Sequence, residues 1–395
     1  MRILLAALML VFTVLPLRAM QLGIDRLQAT QFEALKGKRV GLITNQTGAD
    51  SRGRLTREIL SKAPGVKLVA LFAPEHGLDG KKLAGKSVAN QKDPLTGLIV
   101  HSLYGATRKP TPEMLKGLEV LVYDMQDIGV RSYTYISTMA RCMEAAGEAG
   151  LQFVVLDRPN PLGGVRVEGP PVEPQWISFV GQLPVPYVHG MTCGELAKML
   201  NERQWMAARC KLNVVPMQGW QRNMIWKDTG LPWIKTSPNI PRHDSPAYYV
   251  ATGIVGSLAG LETGVDGPAP FEICAGKGID PDSFTRYVQS LNIDGVQARP
   301  YLGDGFGGCR LSIDPRGKGD LTFLALALLT EVNRRSKPDL FAKSSGEKLD
   351  IFFKVYGSKD IRDLLSRGTP VQRIAQNWKP GVDKFRSERS PFLLY

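Results

Sequence analysis

The stretch Leu118–Pro159, LEVLVYDMQDIGVRSYTYISTMARCMEAAGEAGLQFVVLDRP, decides the fold. It opens on an apolar, β-rich run, passes through a helical segment that opens at Arg131 and that Gly150 is placed to end, and returns at once to a second apolar run, LQFVVL. Strands hydrophobic at consecutive positions are buried on both faces, as in a parallel sheet, and a helix between two of them supplies the crossover that a parallel pair needs. Similar runs stand upstream as RVGLITN from Arg39, VKLVALFAP from Val66 and GLIVHSLYG from Gly97, with the helical stretches SRGRLTREILSKA and TPEMLKG among them. This alternation predicts an α/β fold, a doubly wound and mostly parallel sheet.

Beyond Asp157 the rhythm changes. RPNPLGGVRVEGPPVEPQW is rich in proline and glycine and reads as an excursion. TCGELAKMLNER carries a capping box, Thr192 with Glu195 three residues on, and KLNVVPMQGW reads as a further strand. The turn-rich TSPNIPRHDSP marks a boundary, after which DLTFLALALLTEVNRRS and RDLLSRG are helices. The organisation expected is a leader over residues 1–19, a doubly wound α/β domain over 22–241 and a smaller C-terminal α/β domain over 242–395.

The leader is read from Arg2, the apolar run Ile3–Leu17 and the small Ala19. Pro16 and Arg18 interrupt it short of the roughly 20 apolar residues that span a bilayer, which favours a cleaved secretory signal over a retained anchor. The mature chain is expected to be exported, to the periplasm or the medium, with no stable membrane insertion. Losing residues 1–19 removes two arginines and no acid, taking the net charge from +13 to +11. Such a charge attracts anionic polymers, cell-wall glycans included. The basic residues are dispersed, with no Lys/Arg block and no RNP-like signature, so nucleic acid is not expected. Five cysteines without a CxxC pair leave at least one thiol free.

Open parallel sheets bind ligands where their strands end. Asn45, Gln46 and Thr47 follow the first strand, Glu75 and His76 the second, Tyr104 the third, Asp124, Gln126 and Asp127 the fourth, and Asp157, Arg158 and Asn160 the fifth. This short, amide-rich inventory suits a sugar held through its hydroxyls. No GxGxxG follows the first strand and no GxSxG occurs, which disfavours a dinucleotide cofactor and a serine hydrolase. His76, His101, His189 and His243 show no HxxxH or HxH spacing, so no metal is expected.

Glu75, behind Ala73 and Pro74 at an apolar strand end, is placed for partial desolvation, which suits a proton donor. Its other reading is a turn cap or an ion-pair partner. His76 is positioned to orient Glu75 or a substrate hydroxyl. Arg131 has the planar fork for a carboxylate, or pairs with Asp127 at i, i+4. Tyr133 and Tyr135 share the first turn after it, and His189 and Glu195 flank a helix start as ligand or capping groups.

VGLITNQTG, FAPEHGLDG, VYDMQDIGVRSYTYISTM, LDRPNPLGG, VEGP, HGMTCGELAKMLN and SPNIP, in that order from Val40 to Pro241, resemble the exported exo-β-N-acetylmuramidases of the NamZ type, formerly a domain of unknown function. The resemblance implies a Rossmann-like domain bearing the active site, a smaller C-terminal domain, and release of terminal N-acetylmuramic acid from peptidoglycan fragments without a cofactor. It implies a catalytic role for Glu75 and places Asn45, Asp127, Arg131, Tyr133 and Tyr135 in the cleft; Asn160, His189 and Asn239 match positions in the later blocks. Arg131 then becomes a clamp for the lactyl carboxylate. Where the family carries a run resembling EGTNxSEGRGT before PFE, this chain has LAGLETGVDGPAPFE, which makes Glu262 the nearest candidate for a second catalytic carboxylate and Asp266 the next. The competing expectation is a non-catalytic muropeptide-binding protein that kept the cleft and lost that carboxylate.

Overall fold

A computed structural model describes residues 20–83, 85–86 and 91–395; the leader lies outside the described residues. The larger sheet has seven strands, β1 (Arg39–Thr44), β2 (Lys67–Ala73), β3 (Gln91–Lys92), β4 (Ile99–Ser102), β5 (Val120–Asp124), β6 (Gln152–Leu156) and β7 (Lys211–Val215). Their order is β3-β4-β2-β1-β5-β6-β7, parallel throughout except for β3 against β4. Every apolar run read as a strand is one.

Successive residues of these strands feed opposite cores. Val40, Leu42, Val120, Val122, Val154 and Leu156 pack with Ile24 and Leu27 of the helix Gly23–Ala29. Ile43, Leu121, Tyr123, Phe153 and Val155 face the helices Tyr135–Glu148 and Cys193–Arg203, in a core that continues into the C-terminal region. Ile136, Met139, Ala140 and Met143 give the first of these helices its apolar stripe, each large side chain contributing about 1.5–3 kcal/mol by burial. Gly150, at φ 67°, follows it in the left-handed conformation. The helix begins at Tyr135, not at Arg131, which leaves Arg131 and Tyr133 in the turn ahead of it. Thr192 and Glu195 form the expected capping box.

The C-terminal region builds a second, antiparallel sheet from β8 (Leu261–Glu262), β9 (Ile273–Lys277), β10 (Val296–Gly303) and β11 (Phe306–Ile313), ordered β10-β11-β9-β8. Helix Leu321–Arg335, capped by Asp320, packs on it, and helices Gly346–Tyr356, Asp360–Ser366 and Val371–Arg389 follow. All five cysteines are buried and free. Among the described residues no helix is long and apolar enough to cross a membrane.

Candidate active site

β1, β2, β5 and β6 run parallel and bring their carboxyl ends to one edge, where the chain leaves as Asn45–Thr47, Glu75–His76, Met125–Asp127 and Asp157–Asn160. Behind β2 the Gly77 amide closes a tight turn on the Pro74 carbonyl at 3.0 Å. His76 sits in that turn at φ 70°, a region non-glycine residues enter rarely. Its Nδ1 lies 2.6 Å from the Lys82 carbonyl and therefore carries the proton. The turn directs Glu75 inward, leaving it 8% exposed.

Three segments hold the Glu75 carboxyl. Oε1 accepts from the Gly85 amide at 2.9 Å, and Oε2 accepts from Thr134 Oγ1 at 2.6 Å. The Tyr104 hydroxyl is a third hydrogen-bonding neighbour; burial, and then Glu75, push its titration upward. Thr134 immediately precedes the helix Tyr135–Glu148, so the carboxyl stands at the positive end of that helix.

Asn45 is fully buried on the next strand end. Its Oδ1 accepts from the amide and hydroxyl of Thr47 at 2.9 and 2.5 Å, which fixes the amide orientation. The Thr47 hydroxyl also accepts from the Gln126 amide at 2.9 Å, locking Asn45 to the segment that carries Asp127. Asn45 Nδ2 faces Tyr135 without a well-formed hydrogen bond. Asp127 Oδ2 accepts from the Gly129 amide at 2.7 Å, while Oδ1 is buried and has no partner among the described residues. Burial drives the Asp127 carboxyl up to about 7 against the pull of the Gly129 and Ile128 amides. Tyr133 and Tyr135 pack edge to face, with ring centroids 4.7 Å apart, and their hydroxyls reach Thr236. Tyr249 faces Tyr133 from the helix Ser245–Thr252, and its hydroxyl is raised first by burial and then by the Glu75 and Asp127 carboxylates.

The structure corrects several sequence-based placements. Arg131 is fully buried, and its guanidinium donates to four main-chain carbonyls: Pro170 and Val185 at 2.7 Å, Tyr356 at 2.9 Å and Val355 at 3.0 Å. It ties the large sheet to the C-terminal helices and has no fork left for a lactyl carboxylate, nor does it pair with Asp127. Asn160 is a loop strut, with its amide on the Met191 carbonyl and its oxygen on the Leu162 amide. His189 has Nδ1 against the Met191 amide, and burial depresses its ring to about 3, so it is neutral. Asn239 exchanges two hydrogen bonds with Asp266 across an exposed contact. Glu262 accepts from the Gly264 amide at 2.5 Å and caps its own turn, whereas the partners of Glu75 come from Gly85, Tyr104 and Thr134. Asp157 and Arg158 are structural, Arg158 pairing with Asp124 and Asp157 gathering donors from Thr192, Gly194 and Tyr395.

Thr134 and Tyr249 were not singled out from sequence. Thr134 had a readable signal, a threonine directly ahead of an apolar helical run; Tyr249 had none. Among the described residues no group of three or more His, Cys, Asp or Glu is arranged to hold a metal.

Two family models, the N-terminal and C-terminal parts of exo-β-N-acetylmuramidase NamZ, match residues 40–244 and 247–395. The chain belongs to the NamZ exo-β-N-acetylmuramidase family. It is accordingly a glycoside hydrolase. It is 39% identical over 384 residues to the peptidoglycan β-N-acetylmuramidase NamZ of Bacillus subtilis, covering 95% of this chain and 91% of that one. Crystal structures of two DUF1343 family proteins from Bacteroides fragilis superpose along 95% of the chain and 99% of each of theirs. One is 42% identical with a TM-score of 0.89, the other 26% identical with a TM-score of 0.71.

Proposed function

We propose that this enzyme removes terminal N-acetylmuramic acid from peptidoglycan fragments, that Glu75 is its general acid and base, and that it acts after export, in the periplasm or medium, during cell-wall turnover. The observation that carries the catalytic assignment is the Glu75 carboxyl, buried at the sheet edge and held by donors from three separate segments beside Asn45 and Asp127. Cleaving a glycosidic bond requires a proton on the leaving oxygen and an acceptor for the proton of water; one carboxyl in a fixed orientation serves both in turn. Of the other buried acids at this edge, Asp124 is paired with Arg158 and Asp157 is held by Thr192, Gly194 and Tyr395, which leaves Asp127, and not the half-buried Glu262, as the candidate for a second acid.

The test is turnover of a chromogenic β-N-acetylmuraminide. Glu75→Gln, folded with unchanged Tm, is expected to lose about 100- to 10,000-fold in kcat. Undiminished turnover in that variant would remove Glu75 from the mechanism. Export is checked by the amino-terminal sequence of the protein recovered outside the cytoplasm, expected to start after Ala19.

A further inference from the structure

We infer that Asn45 Nδ2 and Asp127 Oδ1 bind the 2-acetamido group of the sugar, and that this acetamide, held by them, is the internal nucleophile of the reaction. The inference rests on Glu75 as the acid. Among the described residues, two buried polar atoms on neighbouring strand ends are left without a well-formed hydrogen bond: Asn45 Nδ2, a pure donor with only a loose contact to Tyr135, and Asp127 Oδ1, a carboxyl oxygen. An unmet buried polar atom costs about 1–3 kcal/mol, so such a pair marks a place where a ligand completes the structure. Their complement is a group with one carbonyl and one N–H, which is an acetamide. Both atoms are aimed by second contacts: Thr47 holds the Asn45 oxygen, and the Gly129 amide holds the other Asp127 oxygen. Glu75 belongs to the same cluster, since Tyr135 is influenced by Glu75 and faces Asn45, while Tyr249 is influenced by Glu75 and Asp127 together.

The charge environment selects the mechanism. Among the described residues the titratable groups that interact with Asp127 are the hydroxyls of Tyr123, Tyr133 and Tyr249 and the thiol of Cys193, all uncharged, and Arg131 is committed to carbonyls. A buried carboxylate with no resident cation is preorganised for a positive charge that exists only during the reaction. In a β-N-acetylmuraminide the acetamide and the leaving oxygen are trans, so the acetamide carbonyl oxygen reaches C1 opposite the departing bond. Glu75 gives its proton to the leaving oxygen, the C1–O bond breaks, and the carbonyl oxygen bonds to C1, giving a bicyclic oxazolinium whose N–H rests on Asp127. Water then adds to C1, its proton passes to the Glu75 carboxylate, and the ring C1–O bond opens to restore the acetamide, with retention of the β configuration.

The experiment compares a chromogenic β-N-acetylmuraminide with its N-trifluoroacetyl analogue, follows the first-formed anomer by NMR, and measures inhibition by the thiazoline mimic of the bicyclic intermediate. The expected results are a β product, a kcat at least about 100-fold lower for the trifluoroacetyl substrate, and competitive thiazoline inhibition tighter than by N-acetylmuramic acid itself. Asp127→Asn, with Tm at or above wild type, is expected to lose about 100- to 1,000-fold in kcat and comparable affinity for the thiazoline. An α product, equal rates for the two substrates, or a covalent sugar trapped on an enzyme carboxylate would overturn the inference while leaving Glu75 in place. A wild-type enzyme inert toward the β-muraminide, or a fully active Glu75→Gln, would instead remove the reading on which it rests.

Discussion

A carboxyl buried without a counter-cation keeps its proton late, and Asp127 is the clearest instance in this molecule. Burial raises it from 3.8 to about 7. The folded state therefore holds a proton that the unfolded chain has released, so this group's contribution is full below about pH 4 and is lost as pH rises through 7. Asp127→Asn is expected to raise stability by about 2–4 kcal/mol at pH 8 and by almost nothing at pH 4, as chemical denaturation at the two pH values would show. A gain at pH 4 as large as at pH 8 would mean that the charge is not the cause. The stability lost to the carboxylate would be the cost of its chemistry. The inward, buried position of Glu75 was legible from sequence because a proline-bounded strand end fixes where a side chain goes. The role of Arg131 was not, because its four acceptors lie 39, 54, 224 and 225 residues away and are carbonyls, which carry no sequence identity.

At the scale of elements, the strands of the large sheet were readable because each is buried on both faces and therefore apolar at consecutive positions. The second sheet was not, since β10 alternates partly buried and exposed residues and carries charge. Helix Val371–Arg389 was missed for another reason. It contains Pro380, ordinarily a breaker, although its buried positions Val371, Ile374, Trp378, Val382 and Phe385 do follow a helical period. The turn that carries Arg131 joins the two halves. Arg131→Met would leave four buried carbonyls without a donor and is expected to cost at least about 3 kcal/mol, read as a lowered urea midpoint. A normal midpoint with a raised KM would return Arg131 to the substrate.

For the molecule as a whole, the buried acids set the alkaline limb of stability. Glu168 is raised to about 8, first by burial and then by Asp320, and Asp127 to about 7. Both favour the protonated form when folded, and each removes about 1.4 kcal/mol per pH unit until its folded value is passed. His189 works in the opposite sense, its neutral ring losing stability as pH falls from 6.5 toward 3, and so adds nothing above that range. Tm is expected to fall between about pH 6.5 and 8.5, and Glu168→Gln to flatten the decline; a Tm flat in wild type over that interval would contradict the assignment. The Tyr395 hydroxyl donates to Asp157 at 2.8 Å and accepts from the Met217 amide at 2.8 Å. Tyr395→Phe strands both and is expected to cost about 1–2 kcal/mol in denaturation without changing kcat.

These long-range ties bear on how the chain is made. Asp157 receives one of its donors from a residue 238 positions downstream, and Arg131 two of its acceptors from 224 and 225 positions downstream. At roughly 5–20 residues per second, a ribosome delivers those partners some tens of seconds after the strands that need them. The sheet therefore cannot complete these hydrogen bonds, nor reach its final packing, before synthesis has reached Tyr395.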